Sequence, residues 1–230
     1  MALPLTPEQI QMLAGLETCT VANTIEEFHV RLRNEGFCDG TIRCMLPSLP
    51  AIAGYAVTAK IRCSVPPTFG HSFNDRTDWW DLILRTPEPR IVVLEDVDTR
   101  PGIGAFIGEL HGNIIRALGC VGCVTNGAVR NLPAAEKIGL RMFAGSISVS
   151  HAFAHLLSFG DPVEVGGLKI RTGDLLHCDR HGVLNVPIEI AAQIPAMAAK
   201  STAGRNRVIE YCRSSGFSIG GLRKMIQELE

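Results

Sequence analysis

No stretch of this chain approaches the roughly 20 consecutive apolar residues needed to cross a membrane. Met1 to Leu16 also lacks the basic start and unbroken apolar segment of a secretory leader. These absences predict a soluble, cytoplasmic protein with no membrane partner. Charge of one sign is missing too: 22 Lys and Arg face 23 Asp and Glu, for a formal net charge of -1. Without a long-range field to recruit it, nucleic acid is not expected as a direct partner, which leaves small molecules or proteins. Internal repeats and low-complexity segments are absent. The eight cysteines are scattered through 230 residues, a length that buries a core without staples, so reduced and mostly buried thiols are expected.

What is present reads as a layered α/β chain. Thr6-Pro-Glu-Gln9 is a helix start with a capping box, leading into a helix over Ile10, Leu13 and Leu16. Ile52 to Arg62 and Arg90 to Leu94 are apolar and rich in β-branched residues, as buried strands are. Between them Ser64 to Asp81, with Trp79 and Trp80 near its end, reads as a loop or a lid. Ile107, Leu110, Ile114 and Leu118 recur at helical spacing and Gly119 supplies a stop. A strand over Cys120 to Thr125, a turn at Asn126-Gly127, helical turns over Pro133 to Gly139 and a strand over Leu140 to Ala144 follow. This alternation favours a central sheet flanked by helices, with parallel pairing. Pro162 to Arg171 alternates apolar and polar residues around Gly166-Gly167, as a hairpin does. Further strands are expected up to Val186. A helical extension begins at about residue 188, with Pro195 kinking or dividing it and Gly216 ending it before a last helix near Ser218 to Glu230. The whole, 1–230, is read as one domain.

Several groups carry chemistry by type and spacing. Cys120-Val-Gly-Cys123 has the spacing of a zinc or thiol-exchange pair, but no second pair completes a tetrahedral site, and thiols in an apolar run behave as small hydrophobes. His151 and His155 would share one face if helical. His177 and His181 lie in an extended segment, about 13 Å apart, and cannot share an ion. Gly102, Gly104 and Gly108 approach the helix of Ile107 to Leu118, where N–H groups and the positive dipole end hold a carboxylate or phosphate; a plain loop-to-helix turn is the alternative. Arg130 follows a strand at the edge where α/β folds place ligands, and its guanidinium suits a carboxylate or oxyanion.

Gly108-Glu109 with its helix, Gly122-Cys-Val-Thr-Asn-Gly-Ala-Val-Arg-Asn131, Asp161 to Asp174 and Asp179 to Val183 together resemble the RraA-like family, over about Thr20 to Leu222. That family contains class II 4-hydroxy-4-methyl-2-oxoglutarate aldolases, which also decarboxylate oxaloacetate, and regulators of RNase E activity. The resemblance implies a swivelling β/β/α-type fold, a homotrimer or hexamer with sites between subunits, and magnesium or manganese as cofactor. It implies a lyase acting on a pyruvate-derived 2-keto acid. By position, Arg130 would bind the keto oxygen and stabilise the enolate. Glu109 would hold a metal-bound water or transfer a proton, and the N–H groups of Leu110 and His111 would take the substrate carboxylate. Two positions differ from the family pattern. Asn131 stands where a metal-ligating aspartate follows the arginine, and Asn206 aligns with a glutamate offered by a neighbouring subunit. Ser148-Val-Ser150 also replaces a Ser-Pro-Arg stretch. The alternative implied by these asparagines is a catalytically silent member that regulates a ribonuclease or binds a small acid.

Overall fold

Thr6 and Gln9 close the capping box reciprocally, Thr6 Oγ1 accepting the Gln9 N–H and Gln9 Oε1 accepting the Thr6 N–H. This starts α1 (Pro7–Ala14) in the computed structural model, which describes residues 4–68 and 77–228. Then come α2 (Thr18–Glu27), β1 (Arg43–Cys44), β2 (Ile52–Arg62), α3 (Asp78–Arg85), β3 (Arg90–Asp96) and β4 (Ala105–Ile107). The middle of the chain supplies α4 (Glu109–Ala117), β5 (Cys120–Val129), α5 (Leu132–Lys137), β6 (Arg141–Ile147) and β7 (His155–Phe159). The last third holds the hairpin β8 (Val163–Val165) and β9 (Leu168–Ile170), the hairpin β10 (Leu175–Asp179) and β11 (Gly182–Val186), and α6 (Ile188–Ala191), α7 (Ile194–Arg213) and α8 (Ile219–Gln227).

Among the described residues the main sheet has nine strands in the order β1-β6-β5-β3-β2-β10-β11, with β4 on β5 and β7 on β2. β2, β3, β5 and β6 run parallel, as does β4 against β5, while β1, β7, β10 and β11 pair antiparallel. The parallel strands are apolar at successive positions because both of their faces are covered. Val92 and Leu94 face a core closed by Trp79 and Ile83 of α3, Ile115 of α4 and Ala135 of α5. Ile91 and Val93, one residue out of phase, face the β8-β9 hairpin through Val163, Val165, Leu168 and Ile170. A third cluster seats α1, α2 and the start of α7 on Tyr55, Leu175, Leu184 and Val186.

The structure corrects several expectations. Residues 69–76 of the expected loop or lid lie outside the described residues, but its end is α3, which buries Trp79. Asn126-Gly127 is not a turn: β5 runs through it to Val129, and the Asn126 amide brackets β3 by accepting the Asp96 N–H and donating to the Asp96 carbonyl. Ile107 belongs to β4 rather than to the helix, and Leu110 points outward, so His111, Gly112 and Ile115 form the buried face of α4. Pro195 divides the C-terminal helices rather than kinking them; it sits in the first turn of α7, where its missing N–H costs nothing. The short α2 and the edge strands β1, β4 and β7 were not anticipated.

Candidate functional site

β4 and β5 end side by side, and the chain leaves each into a helix. β4 passes through Gly108, the N-cap of α4, and β5 passes through Arg130 and Asn131 into α5. The Arg130 N–H donates to the Ile107 carbonyl, which ties the two exits together. The first-turn N–H groups at Glu109, Leu110 and His111 therefore lie at the positive end of α4 beside the Arg130 side chain. Arg130 Nε is buried without a hydrogen-bond partner, an arrangement that leaves a donor awaiting an acceptor.

Asn131 takes the left-handed conformation, φ 55° and ψ 43°. Asn and Asp visit this region more readily than other non-glycine residues. Its Oδ1 accepts the Glu109 N–H over 3.4 Å. Gly108 is buried against this pair, where a Cβ would come within 2.9 Å of both Arg130 Nε and Asn131 Oδ1. His111 turns inward, its ring stacked on Phe106 with centroids 4.6 Å apart. Burial pushes the His111 pKa down to about 4; a hydrogen bond to the Phe106 backbone opposes this and the Arg130 charge adds to it. The imidazole is neutral near pH 7.

Arg130, Asn131, Glu109, Leu110 and His111 are thus brought together at one end of the sheet. Asn206 lies exposed on α7, which packs chiefly on α2 and α8. Of the three glycines expected to cradle an anion, only Gly108 adjoins the helix start. The Gly102 N–H already donates to Asp96 Oδ2 at 2.8 Å, so the loop closes on the protein's own carboxylate. The Phe106 stack and the Gly108 contact were missed in the sequence. No period in the sequence marks them, because the strand before Gly108 is three apolar residues, Ala105 to Ile107, all buried.

The remaining candidates resolve as structure. Cys120 and Cys123 are buried on β5, and burial raises both thiols, Cys120 to about 12, which disfavours the thiolate a metal needs. His155 opens β7 and its Nδ1 meets the Phe153 carbonyl at 2.7 Å, so the segment is not the helix on which His151 and His155 would have shared a face. His177 Nε2 meets the Leu13 carbonyl at 3.1 Å, which makes Nδ1 the acceptor of the Thr18 hydroxyl at 2.8 Å. His181 leans on Asp179 instead. An apolar cleft of about 480 Å³ opens at the opposite edge of the parallel strands, between Ile10 of α1 and Pro89 and Val121. Its charged rim is engaged elsewhere, Glu88 with Arg90 and Arg116 with the Ile138 and Cys120 carbonyls.

Among the described residues, the His, Cys, Asp and Glu side chains that converge in a group of three are Cys63, Asp96 and Asp98. Their oxygens are already used. Asp98 accepts the Cys63 and Ser64 N–H groups and the Ser64 hydroxyl, and Asp96 accepts the Gly102 and Asp98 N–H groups. At Arg130 the donors are one exposed carboxylate, Glu109, and one amide oxygen facing an N–H, next to a guanidinium. Hard divalent ions draw their affinity from several carboxylates. The residues this chain brings there do not fit such an ion.

Comparison with known proteins agrees with the architecture. A family model, "RraA-like: Aldolase/RraA", matches residues 18–185. The chain belongs to the RraA-like family. A curated relative from Halalkalibacterium halodurans, named "Putative 4-hydroxy-4-methyl-2-oxoglutarate aldolase", is 29% identical over 84 residues, 36% of this chain and 40% of that protein. The match therefore spans less than half of that relative's length. A solved structure of an uncharacterized protein from Pseudomonas syringae pv. tomato superposes with a TM-score of 0.73 at 19% identity, covering 97% of this chain and 96% of that one. Streptomyces coelicolor RraAS2, described as an unusual member of the RNase ES inhibitor RraA family, gives 0.66 at 18% identity, over 93% and 99%. These likenesses show the fold, a mixed α/β sheet with flanking helices.

Proposed function

We propose that the chain binds a small 2-keto acid at the α4–Arg130 site and cleaves its carbon–carbon bond to release pyruvate. 4-Hydroxy-4-methyl-2-oxoglutarate and oxaloacetate are the substrates the reading names. The observation that carries it is the buried, unpartnered Nε of Arg130 beside the positive end of a helix. In this reading the helix end at Leu110 and His111 takes the carboxylate and Arg130 binds the keto oxygen. When the bond between C3 and C4 breaks, its electron pair moves onto the keto oxygen as an enolate, whose charge Arg130 stabilises. With 4-hydroxy-4-methyl-2-oxoglutarate the C4 hydroxyl proton passes to Glu109, exposed at the helix start, as C4 becomes the carbonyl of a second pyruvate; with oxaloacetate C4 leaves as carbon dioxide and Glu109 takes its proton from solvent. Glu109 then delivers that proton to C3 of the enolate, and pyruvate results. Magnesium or manganese, which the resemblance implies, takes no part in this scheme because the donors at hand do not suit it.

Ile103, Leu110, Ile147, Val149 and Phe153 are exposed around the same end of the sheet. Apolar side chains gathered on one rim support a second copy as partner, in a homotrimer or hexamer. Eight cysteines without a disulfide support a cytoplasmic setting, and among the described residues no helix is long and apolar enough to cross a membrane. The neutral side chain of Asn131 favours a second reading, a silent relative that binds a small acid or regulates a ribonuclease without turnover.

The test is pyruvate formation from both substrates by the native protein and by Arg130→Lys. Turnover that falls by about a hundredfold in the variant supports the lyase. Native protein without turnover, but still binding a keto acid, would move the reading to the silent relative.

A further inference from the structure

We infer that this site holds its carboxylate ligand directly, with Asn131 as a neutral hydrogen-bond donor, and that a divalent cation adds nothing to that binding. The inference rests on the proposed reading of the site and says what kind of ligand contact it makes.

The left-handed backbone at Asn131 aims its side chain back toward the start of α4, where Oδ1 accepts the Glu109 N–H. An amide oxygen turned to a donor is turned away from a cation. The same turn leaves the Nδ2 group as the polar atom that Asn131 can offer outward, and among the described residues no acceptor lies on it. Beside it stand the Arg130 guanidinium, with Nε buried and unpartnered, and the positive end of α4. Every one of these features is a donor or a positive charge. Among the described residues brought together here the acid is Glu109, exposed at the first helical position.

A dication arriving here meets a guanidinium and one solvated carboxylate, which is a poor set for a hard ion. A small carboxylate or enolate meets a guanidinium, a helix end and an amide N–H, which is a good one. Aspartate at position 131 would reverse the preference. Its carboxylate could still take the left-handed backbone and the Glu109 N–H, but it would repel an anionic ligand unless a cation came between them.

Oxalate, a planar dianion with the shape of the pyruvate enolate, is the probe. Its binding to the native protein and to Asn131→Asp is measured by calorimetry, once with excess EDTA and once with magnesium or manganese in excess. The expected result is a native Kd that agrees within about twofold between the two conditions. Asn131→Asp should bind at least about tenfold more weakly in EDTA and recover with the metal. Native binding that appears only with the metal would overturn the inference and leave the site reading standing. Native protein that binds no oxalate in either condition, with its circular dichroism unchanged, would overturn the site reading itself.

Discussion

Gly108 stands so close to Arg130 that a Cβ at position 108 would lie 2.9 Å from the guanidinium Nε and 3.0 Å from the Cγ. The glycine is thus the floor on which the arginine rests; its extended backbone suits any residue, and the lack of space alone keeps a side chain out. Gly108→Ala should push Arg130 and Asn131 outward and weaken oxalate binding by about tenfold, since small displacements of a binding group cost steeply. Global stability should fall by about 1 kcal/mol or less, because the displaced groups face solvent on one side. Calorimetry with oxalate beside urea unfolding separates the two effects. Unchanged affinity would mean that Arg130 is not the anchor.

Acid should destabilise the fold before most carboxylates titrate. Burial lowers the pKa of His111 from 6.5 to about 4, and burial also lowers that of His177. The unfolded chain takes up these protons near 6.5 and the native one only at lower pH. Stability is therefore complete above about pH 7 and declines as pH falls from 6.5 toward 4. Urea midpoints measured at about pH 7.5 and about pH 5 should differ, with the lower value at about pH 5. His111→Phe, which keeps a ring against Phe106, should reduce the difference. A midpoint independent of pH across this range would contradict the burial of neutral imidazoles.

Thiol reactivity should divide the cysteines sharply. Cys19 and Cys212 are exposed and Cys44 is half-buried; burial raises Cys38, Cys63 and Cys120 to about 12, and raises Cys123, Cys178, Cys44 and, despite its exposure, Cys19 as well. A thiol-specific chromogenic reagent should titrate Cys19 and Cys212 readily in the native protein, and the buried ones only after denaturant. Fast native labelling of Cys120 or Cys123 would restore a redox role for that pair.

Arg90 is the charged group on which the start of β3 depends. Its side chain is buried and donates to the Thr86, Leu84 and Leu118 carbonyls and to Glu88, with Nη1 and Oε1 2.7 Å apart. Arg90→Met keeps much of the volume but leaves three carbonyls without a donor, and should cost about 3 kcal/mol. Chemical denaturation of the variant checks this. A loss below about 1 kcal/mol would mean that water replaces the guanidinium.

The strands that the sequence made legible are those buried on both faces. Ile91 to Leu94 and Ile52 to Ala59 are buried at every position and apolar at all but Thr58, so no competing pattern obscures them. Short edge strands such as β4 and β7 have too few residues to show a period, and their existence depends on partners distant in the chain. Asn126-Gly127 misled because turn propensity is local, while the Asn126 amide is held by Asp96 of a neighbouring strand. Leu110 misled for a related reason: it keeps helical spacing with Ile114, yet the buried face is set by His111 and Ile115. At the site, Arg130 and the α4 start were readable from residue type and position. The left-handed backbone at Asn131 and the contact with Gly108 were not, because both arise where two chain segments meet.

The left-handed hinge at residue 131 also narrows what can replace it. Most side chains are strained there, whereas asparagine and aspartate are tolerated and share nearly the same shape. A single-base change separates their codons. The charge of this site can therefore be reset without rebuilding the loop, so that, on the proposed reading, a cation-independent form of the site and a cation-requiring one are adjacent in sequence space.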